Sequence, residues 1–240
     1  MLLLDLNVKA LYLIGGIVMT CGAGAALLTW YHHRDAPGLR AWAAALLLSI
    51  LGVLILRSPA AVPTSWIIPV ANAMIVSGFA VIWLSLRQFN RGHADAARLV
   101  VRTAGVVAAY LALYGIASLA GAGPLATAIP FSLFLGLLSI AAAHETWQGR
   151  AHDGLRSRLP TALAFVGLGI ARVLRACMLI LQVADVLPPE TVASLHPVVL
   201  YATIVLVLAI TYGLVLMANE GAVRRDAELF ADRQSSLPTN

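Results

Sequence analysis

The stretch RLPTALAFVGLGIARVLRACMLILQVADVLP, residues 158–188, decides the fold class of this 240-residue chain. It is long and apolar enough to cross a bilayer, for which a helix needs about 20 mostly apolar residues. Arg172 and Arg175 nevertheless stand near its middle, where an arginine costs roughly 2.5 to 3.5 kcal/mol on insertion scales. Two such charges in one span call for a partner, a water-filled cavity or a ligand. Being three residues apart they share a helix face, and Gln182 lies two turns further along that face.

Six further runs match this one in length and apolarity. Together the seven cover roughly residues 8–30, 39–56, 66–86, 99–120, 124–147, 159–187 and 197–217. Turn chemistry separates them: Pro37-Gly38, Ser58-Pro59, Asn90-Arg91-Gly92, Gly121-Ala122-Gly123, residues 149–158 and Pro188-Pro189. With 60% hydrophobic and 11% charged residues, a soluble globular protein is excluded. The expected fold is all-α: a polytopic membrane protein, a seven-transmembrane-helix bundle whose short connections make consecutive helices antiparallel neighbours. No internal repeat is visible, which argues against a transporter built from duplicated halves.

Charge predicts the orientation. Of 16 basic residues, 12 fall at one set of span ends, from Arg34 and Arg40 through Arg87, Arg91, Arg98 and Arg102 to Arg224, Arg225 and Arg233. Lys9 and Arg57 stand at the other. The positive-inside rule then places the amino terminus outside and the carboxyl terminus in the cytoplasm. Because the charge follows topology, and no basic patch is interleaved with aromatics, nucleic acid is not an expected partner. Cys21 and Cys177 both lie in apolar runs and read as small packing residues. The opening MLLLDLNVKALYL lacks a basic segment ahead of a short apolar core, so a cleaved signal peptide is not expected.

Several chemistries are set aside on residue types. A retinal Schiff base needs a lysine in the last span, and Lys9 is at the wrong end. C-type haem would need Cys-x-x-Cys-His. B-type haem would need paired histidines at matching depth, for which His144 with His32 or His33 is the nearest arrangement. No nucleophile has a recognisable base, and no two carboxylates share a span. Neither a cofactor nor a metal is therefore expected, and nothing points to an enzyme.

Two readings of the arginines stay open. In one they snorkel, or bond carbonyls freed by Pro69 and Pro130. In the other they line a polar pocket that holds the anionic group of a small ligand or lipid. Glu145 and Asp185 lie near opposite span ends, so no carboxylate matches the arginines in depth. The groups that could meet them are Asn72 and Ser77, Tyr110 and Tyr114, Ser132 and Tyr201. The candidate ligand site is thus Arg172, Arg175, Asn72, Gln182, Tyr110, Tyr114 and Tyr201.

The segment Pro37-Gly38-Leu39-Arg40-Ala41-Trp42, with Gly52 and then Asn72, Gly78, Arg87 and Phe89, resembles the amino-terminal membrane sensor region of bacterial diguanylate cyclases, the GGDEF proteins, and of some sensor histidine kinases. The likeness spans about residues 2–90. Asp232 to Asn240 weakly echoes the segment that leads into the cyclase domain, but the GGDEF signature and its ligands are absent. The resemblance implies a sensor domain over 1–217 and, over 218–240, a cytoplasmic tail or a truncated linker to an output domain. It further implies signal transduction at the bacterial inner membrane, an unknown small-molecule ligand, an output such as cyclic-di-GMP synthesis, and a homodimer. The spacing of Leu216, Val223 and Phe230 fits a dimer seam only loosely. A small transporter or channel, or an accessory membrane subunit packing through glycine and alanine faces, is the alternative.

Overall fold

The computed structural model describes residues 8–32, 34, 38–57, 64–91, 95–121 and 123–235. These form seven α-helices: α1 (Val8–His32), α2 (Leu39–Arg57), α3 (Thr64–Arg91), α4 (Ala96–Leu119), α5 (Pro124–Asp153), α6 (Arg158–Val183) and α7 (Pro189–Ser235). All seven are long and apolar enough to cross a membrane, as a multi-pass membrane protein requires. Residues 1–7, 33, 35–37, 58–63, 92–94, 122 and 236–240, which include several of the breaks expected between spans, lie outside the described residues.

Most helices overrun their apolar runs. α5 continues six residues past Trp147, and α7 starts eight residues before Pro197 and ends eighteen after Met217. Hydropathy marks where lipid ends, whereas the helix ends where its hydrogen bonds end. Residues 149–158 therefore read as a turn although Gly149 is helical; the chain reverses only at Gly154, whose φ of 63° suits glycine. α6 is shorter than expected, stopping at Val183 before a turn in which Asp185 adopts φ 55°. Pro197 lies inside α7 and removes the N–H that the Ala193 carbonyl would accept.

The helices close into a ring in the order α1, α2, α3, α5, α6, α7, with α7 returning to α1. α4 is left outside, against α3 and α5. Its sequence is rich in alanine, and Tyr110, fully buried between Phe134 and Tyr114, anchors it. Large apolar side chains such as Leu28, Leu54, Ile116, Leu137, Leu174 and Leu208 cover the exterior, a surface compatible with lipid. Several buried hydroxyls are satisfied within their own helices, Ser49 donating to Ala45 O and Ser139 to Leu135 O, whereas Ser132 Oγ is buried without a hydrogen-bond partner.

Four of the residues that carry the sensor resemblance, Trp42, Gly52, Gly78 and Phe89, meet at the α2–α3 contact. Gly78 packs on the Ala45 carbonyl and Gly52 on the Ala71 carbonyl, each so closely that a Cβ would stand 2.6 Å from the oxygen. Trp42, buried, stacks on Phe89 with ring centroids 5.7 Å apart. Small residues let the two backbones approach, and the aromatic pair closes the interface at one end. These positions thus have a packing role of their own, while Asn72 projects elsewhere.

Candidate functional site

The arginines of α6 face the middle of the ring. Counting 1.5 Å per residue, Arg172 stands about 21 Å along the axis from Arg158, well inside the bundle. Arg172 is 8% exposed and Arg175 half-buried. Their helix is set by a glycine crossing: Gly136 of α5 and Gly169 of α6 face each other, and a Cβ on Gly136 would stand 3.5 Å from that of Arg172. The close approach brings α6 inward and aims its polar face at the centre.

Both arginines border a cavity of about 220 Å³. Every ring helix contributes to its wall, for example Met19 from α1, Leu56 from α2, Phe79 from α3, Phe131 from α5 and Ile204 from α7. Its described polar lining is confined to Asn72, Arg172, Arg175 and Thr203. The Thr203 hydroxyl donates to Val199 O at 2.7 Å, leaving its lone pairs for an incoming donor. Among the described lining residues there is no carboxylate. Two guanidinium groups in apolar surroundings, with no acid on the wall, make the cavity a place where an anion is favoured.

A second cavity, about 420 Å³, adjoins the first at Arg175, which borders both. It lies between α6 and the first turns of α7, with Leu125 of α5 at its edge, and Gln182 and His196 supply its other polar groups. Gln182 Oε1 is buried and without a hydrogen-bond partner. Sequence reading did not find this cavity. Gln182 was legible from its face, but His196 was not, because the start of α7 was placed one residue beyond it.

Of the seven residues expected at the site, Arg172, Arg175 and Asn72 share the central cavity, and Gln182 joins Arg175 in the second. Tyr110 stands one layer behind, where it meets the Asn72 side chain. Tyr114, half-buried, stacks on Tyr110 with centroids 6.3 Å apart. Tyr201 is 54% exposed on the outside of α7 and lines neither cavity. Ser77 spends its hydroxyl proton on Ala73 O at 2.7 Å, and Ser132 is fully buried.

A separate polar cluster, also missed, closes the opposite end of the bundle. Arg158, 1% exposed, donates through Nε to Asp153 Oδ1 at 2.8 Å and through Nη1 to Asn90 Oδ1 at 2.9 Å. Its Nη2 completes the pair with Asp153 Oδ2, and its guanidinium lies over the Phe89 ring at 5.4 Å. Asn90 Nδ2 donates to Glu145 O at 2.7 Å, while the Glu145 carboxylate pairs with Arg87 at 3.5 Å. Gly149 leaves the space the guanidinium occupies. Next door, Ser157 donates from its hydroxyl to Glu220 Oε2 at 2.9 Å and from its amide at 3.3 Å, tying α7 to the start of α6. The sequence signals were Asn90 and Gly149, both of which pass for turn residues.

No group of three or more metal-binding side chains occurs among the described residues. His144 is exposed and contacts Gln148 at 3.3 Å, and His32 sets its ring edge-on to Tyr31. Comparison with protein-family models, curated proteins and solved structures finds no significant match.

Proposed function

We propose that this chain is a membrane signal-input protein whose central cavity binds a small anionic ligand or lipid and biases the arrangement of α7. The observation that carries the reading is the pair Arg172 and Arg175 on the wall of a mostly apolar cavity that no described carboxylate lines. Arginine forks suit carboxylate or phosphate oxygens, and the dry surroundings strengthen each contact.

α7 is the element that could relay occupancy. Thr203 and Ile204 line the cavity, and the same helix runs on to Glu220 at the polar cluster and to Ser235 beyond it. A ligand that fits one setting of α7 better than another shifts the population between them. The distribution of basic residues, 12 against two, supports a cavity near the outer side and an α7 that emerges into the cytoplasm of a bacterium-like inner membrane. Catalytic output, such as cyclic-di-GMP synthesis, would then belong to a partner or to a further segment.

Both cavities lie toward the amino-terminal end of α1, while Phe165, Leu168, Leu214 and Met217 fill the other half. That one-sided arrangement favours a receptor over a continuous transport path. The test is ligand-dependent thermal stabilisation of the purified protein. An anion that stabilises the wild type should lose its effect on Arg172→Leu and Arg175→Leu, and equal stabilisation of a folded double variant would exclude the site.

A further inference from the structure

We infer that the ligand is an amphiphile, one anionic group on a hydrocarbon body, and that it reaches Arg172 and Arg175 from the lipid through the second cavity between α6 and α7. The inference rests on the anion-binding reading above and adds the ligand's class and its route.

The class follows from the wall. Leucine, isoleucine, valine and phenylalanine side chains face most of the central cavity, and its polar lining is limited to Arg172, Arg175, Asn72 and Thr203. A sugar, a nucleotide or a polycarboxylate would press several polar atoms against hydrocarbon without hydrogen bonds, which is strongly disfavoured. A carboxylate or phosphate head at the arginines with an alkyl chain against Phe79, Phe131 and Leu135 leaves no such mismatch.

The route follows from the second cavity. Arg175 stands at its junction with the first, so a head group can pass from one to the other along a single guanidinium. Met178, Val192 and Val199 give it apolar walls, while Gln182 Oε1 is a buried acceptor ready for a hydroxyl or an accompanying water. On the same turns of α7 as the lining residues Val192, His196 and Val199, Leu195 and Val198 are exposed and apolar. At the same end Asp185, in the turn before α7, and Glu190, in the first turn of α7, are both exposed and repel an anion arriving from water. An amphiphile in the membrane meets the apolar side instead.

The test is equilibrium and kinetic binding of radiolabelled decanoate to the full chain in lipid nanodiscs, with empty nanodiscs subtracted. Saturable binding is expected, displaced by dodecyl phosphate and not by tenfold excesses of decanol or acetate. Ala193→Trp and His196→Trp, which fill the second cavity, should each slow association at least fivefold. If acetate or inorganic phosphate displaces decanoate as well as dodecyl phosphate does, the anion site stands and the amphiphile is wrong. Unchanged association in both folded tryptophan variants overturns the lateral route. If no anion binds saturably, the receptor reading falls with it.

Discussion

Arg172 and Arg175 sit one turn apart on α6 and border the same cavity, while Arg175 also borders a second one beside it. The pair is therefore unequal: Arg172 serves the deep site, and Arg175 serves the deep site and its approach. Arg172→Leu should weaken anion binding at least tenfold, about 1.4 kcal/mol, chiefly through faster dissociation. Arg175→Leu should weaken it comparably and slow association as well. Stopped-flow binding separates the two, and identical kinetic effects would contradict the assignment.

The α2–α3 contact predicts a packing asymmetry. Gly78→Val drives a side chain into the Ala45 carbonyl and should destabilise the bundle by about 1–3 kcal/mol. Gly105→Ala, on α4, meets nothing within 4 Å and should be neutral or gain up to about 1 kcal/mol from helix propensity. Unfolding in mixed detergent micelles measures both.

Arg158 and Asp153 form a pair in which one member is far more buried than the other, with side chains 1% and 28% exposed. Asp153→Ala should cost about 3–5 kcal/mol, because it strips a partner from a buried charge. Adding Arg158→Met should recover part of that loss, and a double variant no more stable than Asp153→Ala alone would contradict the account.

Glu220→Ala removes the acceptor of Ser157 and so releases α7 from α6 at the end remote from the cavities. Amide exchange in residues 218–235 should speed up while anion affinity stays within about twofold, since the cavity walls are untouched. An affinity loss equal to that of Arg172→Leu would show that the two ends are not separable.

Orientation is testable without reference to ligand. In a cysteine-free background, Ser194→Cys should react with a membrane-impermeant maleimide on intact cells, and Arg233→Cys only after permeabilisation. The opposite pattern would invert the proposed direction of signalling.

Seven apolar runs were legible because hydropathy and length are properties of the chain in one dimension. The exclusion of α4 from the ring was not, since it depends on how well side chains interlock. Arg172, Arg175 and Gln182 were legible as one face of α6 through their spacing. Asn72 was found by matching depth on another helix. Tyr201 was placed at the site by the same depth argument yet lies on the outside, because α7 is apolar on all faces and its rotation leaves no trace in the sequence. The clusters around Arg158 and in the second cavity needed helix ends that hydropathy does not mark. Gly149 shows why: its role is to make room for a guanidinium from another helix, whereas in sequence it resembles a breaker.

The most direct measurement is an experimental density map of the full chain in lipid nanodiscs prepared with decanoate. The account predicts head-group density within hydrogen-bond reach of both Arg172 and Arg175, continuing as a chain against Phe79 and Phe131. A central cavity empty of ligand at saturating decanoate, with the arginines turned away from it, would contradict the claim that this is an anion site.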